Sequence, residues 1–95
     1  MPEKVAILER ELQQLPATPE NLHRRIDLLN DLGWQFREPV EVDRLLALAG
    51  EAAELSRTSG YRKGLAGSMR NQAFARYMRS EYGPAVAERM YRAKA

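Results

Sequence analysis

The chain has no cysteine, one histidine and one tryptophan among its 95 residues. Without cysteine there is no disulfide framework, thiolate metal site or cysteine nucleophile, and a reducing cytoplasm is the expected location. β-branched residues are scarce and no stretch alternates with period two over strand length, so strands are not expected. No apolar run approaches the length needed to cross a bilayer, and the N-terminus lacks the charged, apolar and small-residue order of a secretory leader. The lone His23 sits beside Arg24 and Arg25 with no partner base or nucleophile in the pattern, which reads as a polar surface residue and argues against an enzyme. Gly60, Gly64 and Gly67 fit neither a P-loop nor a dinucleotide fingerprint; Gly64 and Gly67 read as helix-packing residues. Asp27 and Asp31 lie four apart on one helix, with no histidine or third carboxylate on that face to complete a metal site. No metal and no cofactor is expected.

Alanine, leucine, arginine and glutamate dominate what remains, and they favour helix. Apolar spacing predicts a first helix from Glu3 to Gln14 and a second from Pro19 to about Arg37, capped by Thr18. A third should start near Val40 and end at Gly60, and a fourth should run from Tyr61 to Ser80 with Leu65, Met69, Ala73 and Tyr77 on one stripe. Glu81-Tyr82-Gly83-Pro84 then predicts a turn and a fifth helix carrying Val86, Met90 and Tyr91. Short connections force neighbouring helices antiparallel. Gly33 interrupts an otherwise strong helix at a cost of about 1 kcal/mol relative to alanine. That cost is understandable if Gly33 faces Ala49 and Ala52 where two helices cross closely.

Charge is divided unevenly. Residues 1–60 hold seven basic and eleven acidic groups, a net of −4, whereas residues 61–95 hold eight basic and two acidic groups, a net of +6. A solvated arginine-rich face accounts for most of this; attraction between the acidic half of one copy and the basic half of another is a further option.

Leu29, Leu32-Gly33 and Phe36 match the W-x2-L-G-x2-Y spacing of a tetratricopeptide repeat, and Leu45, Ala49 and Ala52 continue it. Met69, Ala73, Tyr77, Glu81-Tyr82 and Ala85 follow the same pattern in the second pair, with Ala73 in the place of Gly33. The chain therefore resembles the tetratricopeptide repeat family over residues 22–93, in particular the diverged helical regions attached to bacterial signalling and regulatory proteins. The resemblance implies an all-α fold, a right-handed array of about five helices in antiparallel hairpins. Residues 1–17 would cap it, 18–60 form one pair and 61–95 the other. The 40-residue spacing between Gly33 and Ala73 exceeds the family's 34 and implies longer helices.

The same resemblance implies a protein-interaction module whose concave face binds a peptide. Its groove positions fall on Asp27, Asn30, Asp31, Trp34, Arg37, Arg70, Asn71, Phe74 and Tyr77, with Asn30 and Asn71 holding a ligand backbone and Arg70 a carboxylate. Trp34 and Phe74 each follow a small packing residue by one position, a step of about 100° that turns them away from the partner helix. A core role for Trp34 stands beside that reading, because a chain this small needs its large apolar residues inside. Two other partner classes are weighed. Homo-oligomerisation would use Val86, Met90 and Tyr91, which nothing later in the chain covers. Nucleic-acid binding would use Arg62, Lys63, Arg70, Arg76, Arg79, Arg89, Arg92 and Lys94, but these scatter around their helices and the total charge is small.

Overall fold

A computed structural model describes the backbone of residues 2–94 and the side-chain surroundings of residues 3–81. Among the described residues the chain is all-α, with four helices and no strand: α1 (Pro2–Gln14), α2 (Leu22–Trp34), α3 (Val42–Ser59) and α4 (Arg62–Lys94). No helix is long and apolar enough to cross a membrane among these residues.

Two helices are entered the same way. Thr18 and Glu38 are extended and each precedes a proline, which opens a single 3-10 turn, Pro19–Asn21 before α2 and Pro39–Glu41 before α3. Proline suits that first turn because its missing N–H has no helical acceptor to lose. Thr18 does not cap through its hydroxyl; it accepts a hydrogen bond from Asn21 Nδ2 at 3.0 Å instead. Beyond Trp34 the chain tightens, with Gln35 and Phe36 N–H donating to Leu32 O and Gly33 O, so α2 ends three residues before Arg37. Gly60 closes α3 as predicted. It adopts φ 71°, and the bonds from Gly60 N to Arg57 O and Tyr61 N to Ser56 O satisfy the last carbonyls. Only glycine takes that left-handed conformation at little cost.

The core has two connected parts. Leu8 of α1, Leu28 and Leu32 of α2, Phe36, Leu45 of α3, and Ala75 and Met78 of α4 form the larger; Ile26, Leu29 and Ala52 form the smaller. Burying each leucine or isoleucine contributes about 1.5–3 kcal/mol. α2 and α3 pair as a hairpin, α4 packs on both, and α1 covers α2. Gly33 is buried, and a Cβ placed on it would lie 3.3–3.5 Å from Asn71 Nδ2, Leu45 Cδ1 and Leu48 Cβ. The close approach is therefore real, but its nearest neighbours are leucines of α3 and an amide of α4 rather than Ala49 and Ala52.

Two predictions about the second half are corrected. α4 runs unbroken through Gly83-Pro84, so there is no turn at residues 81–84, no separate fifth helix and no helix pair within residues 61–94. An interior proline costs roughly 3 kcal/mol; the run from Ala85 to Lys94, which holds three alanines and two arginines, carries the helix on past it. The side chains of Val86, Met90 and Tyr91, named for self-association, lie outside the described residues. The inward face of α4 is also different. Met69, Ala73 and Tyr77 are exposed, and the buried positions are Gly64, Ser68, Asn71, Ala75 and Met78. Ala73 is thus no packing counterpart of Gly33.

Candidate interaction surface

The reason for this rotation of α4 is a buried amide pair. Asn30 is 6% exposed and Asn71 is wholly buried. Asn30 Nδ2 donates to Gly64 O at 2.9 Å, and Asn71 Nδ2 donates to Asn30 O at 3.0 Å. The Ser68 hydroxyl lies 2.8 Å from Gly64 O and 3.2 Å from Asn30 Oδ1. A buried amide left without partners would cost about 1–3 kcal/mol, so these groups select the one helix register that satisfies them. The slot exists because its walls lack side chains. A Cβ on Gly67 would sit 3.0 Å from Asn30 Nδ2, and one on Gly64 would sit 2.5 Å from Ile26 Cγ2 and from Ser56 Oγ. Gly64 and Gly67 are packing residues, as their sequence context suggests. Asn30 and Asn71 are not surface groups awaiting a ligand backbone: they are the bolt between α2 and α4.

The bolt reaches the surface through Arg70. Its Nε and Nη2 donate to Asn71 Oδ1 at 3.2 and 3.1 Å, which holds the guanidinium over the Trp34 ring, 4.1 Å from the centroid. A second guanidinium, that of Arg37, stands 4.3 Å from the same ring, with its Nε donating to Trp34 O at 2.7 Å. Cations over an indole face are attracted by its quadrupole. Phe74 meets Trp34 edge-on at 5.4 Å and 68°, and Tyr77 follows Phe74 at 6.2 Å. Trp34 and Phe74 are partly buried and Tyr77 is 55% exposed. Trp34 belongs to neither apolar cluster, while Phe74 borders the larger one.

Five of the nine groove positions thus converge: Trp34, Arg37, Arg70, Phe74 and Tyr77. Asp31 is exposed on the preceding turn of α2. Asp27 belongs to a different cluster, absent from the sequence expectations. There the Tyr61 hydroxyl donates to the Asp27 carboxylate at 2.9 Å, Lys63 Nζ lies 3.7 Å from it, and His23 stacks on the Tyr61 ring at 3.9 Å and 7°. Partial burial, the hydrogen bond and the charge of Asp27 together push the Tyr61 hydroxyl above its ordinary value of 10.0, against a smaller opposing pull from Lys63. The spacing of His23 and Asp27, one turn apart on α2, was the signal available for this cluster; its partner Tyr61 comes from the far side of α3.

No protein-family model matches the chain, and neither curated proteins nor solved structures match it significantly.

Proposed function

We propose that the chain is a protein-interaction module, the docking or sensory part of a bacterial signalling or regulatory protein as the tetratricopeptide resemblance implies, and that it binds its partner through the Trp34 face. One observation carries this reading: the only tryptophan stands outside both apolar clusters, with two arginines over its ring and exposed Tyr77 beyond Phe74. Large aromatic and arginine side chains brought together at a surface are the groups that dominate binding energy in protein interfaces. Homo-oligomerisation through Val86, Met90 and Tyr91 concerns side chains outside the described residues, and nucleic-acid binding is a weaker reading because the basic residues scatter around their helices.

The reading is tested by placing a photo-crosslinking phenylalanine analogue at Tyr77 and, as a control, at exposed Arg57 near the end of α3. A discrete adduct is expected from position 77 in cells and not from position 57, and it should disappear with Trp34→Ala. Equal crosslinking at both positions would remove the assignment.

A further inference from the structure

Between Arg62 and Ser80 the sequence holds five basic side chains and no acidic one; the first carboxylate is Glu81. Lys63 pairs with Asp27 and Arg79 with Asp43. Arg62, Arg70 and Arg76 form no ion pair among the described residues, and neither does Arg37 across the Trp34 ring.

The face these arginines border is apolar and low. At about 100° per residue, Ala66, Arg70, Ala73 and Tyr77 fall within about 60° of arc, and all four are exposed. Met69, 57% exposed, stands on one side of the two alanines, and Phe74 with Trp34 stands on the other. Small residues two turns apart leave a channel in which the ridge of another helix can lie close to the α4 backbone.

Charge then selects the occupant. The α4 side of this face carries unpaired guanidinium groups and no carboxylate, and with exposed Asp31 one turn before Trp34 on α2 the basic groups still predominate. The face therefore repels a basic helix and attracts an acidic one. It also repels a copy of itself, since α4 against α4 would set Arg62, Arg70 and Arg76 near their own equivalents. Nucleic acid fits less well: the alanine floor gives phosphates nothing, and the Trp34 ring on which a base would stack is already covered by guanidinium groups. A lipid surface would gain little from two large exposed apolar side chains.

We infer that the partner element is an acidic amphipathic helix lying along α4, its apolar edge on Ala66 and Ala73 and its carboxylates on Arg37, Arg70 and Arg76. This rests on the Trp34 face being the docking surface.

The test is a phage-displayed library of random peptides about four helical turns long, panned on the whole chain and counter-selected on an Arg70→Glu/Arg76→Glu variant whose helicity is checked by circular dichroism. Enriched peptides are expected to be rich in Asp and Glu, with apolar residues three and four apart. Synthetic copies should shift the emission of Trp34 and bind the double variant roughly tenfold or more weakly. Neutral, basic or non-helical peptides that still depend on Trp34 would overturn the acidic helix and leave the docking surface standing; a selection with no Trp34-dependent peptide would remove both. Binding of a labelled thymidine oligonucleotide or of phosphatidylserine vesicles, abolished by the double variant, would give the arginines to another partner and overturn the inference. So would a dimer by light scattering that the double variant dissolves.

Discussion

Gly64 is where this fold is least forgiving. A methyl group there would lie 2.5 Å from Ile26 Cγ2 and Ser56 Oγ and 2.6 Å from Tyr61 Cδ2. Gly64→Ala is therefore expected to cost about 2–3 kcal/mol through overpacking. Gly50, inside α3 with nothing within 4 Å of where a methyl group would stand, should behave oppositely, and Gly50→Ala should gain about 0.5–1 kcal/mol from helix propensity. Urea unfolding of the two variants checks the pair, and a Gly64→Ala protein as stable as the parent would show that the crossing is looser than described. Tyr61 supplies a pH dependence of definite sign. Its hydroxyl titrates above the ordinary 10.0 in the folded chain, so the folded state holds that proton more tightly. The contribution is complete below the unfolded value and is lost as pH rises through the folded one. Tyr61→Phe should lose less stability than the parent on passing into the alkaline range; parallel losses would mean the hydroxyl contributes nothing. At this scale the sequence was readable where a residue type has one use, as with Gly60 at a helix end. It misled at Ala73, whose smallness looked like a packing position. Trp34 and Phe74 meet because the Asn30–Asn71 pair sets the register of α2 on α4, not because Gly33 and Ala73 are equivalent.

Helix limits follow from the punctuation of the chain. Pro19, Pro39 and Gly60 mark boundaries within a few residues of where the backbone turns, because each has a backbone preference that no neighbour alters. Pro84 lacks that authority, since it comes deep in a helix already formed and is followed by strong helix formers. The inward face of α4 was hidden for a different reason. Apolar spacing counts Met69 and Tyr77 as core and cannot see that two amides will satisfy one another inside. The amide pair is accessible to a double-mutant cycle. Asn30→Ala and Asn71→Ala should each cost about 2 kcal/mol, and the double variant should cost clearly less than their sum, because either change already breaks the bond between them. Strict additivity in thermal or urea melts would show that the two amides act separately. Of the proposed surface, the aromatic members and Arg37 and Arg70 were named through the repeat resemblance, while the supporting role of Asn71 was not.

Across the molecule, the uneven charge is only partly used internally. Arg24–Glu11 and Arg44–Glu9 tie α1 down, and Arg79–Asp43 ties α4 to α3. These pairs are exposed, so each adds little to stability. The first hairpin was foreseen because its apolar positions repeat at helical spacing on both of its helices, whereas the second depended on a break that the backbone does not make. The link between α3 and α4 is only Gly60 and Tyr61, and its brevity bears on the order of assembly. Closing so short a loop loses less chain entropy than closing the longer connection, residues 15–21, that brings α1 onto α2. The α3–α4 hairpin should accordingly form early, with the Gly60 turn already native in the transition state. In stopped-flow kinetics, the loss of about 1 kcal/mol expected for Gly60→Ala should appear mainly as slower folding, and Leu8→Ala in α1 mainly as faster unfolding. Were Gly60→Ala to speed unfolding alone, the hairpin would have to be a late event, and the turn would guard the folded state without guiding the chain to it.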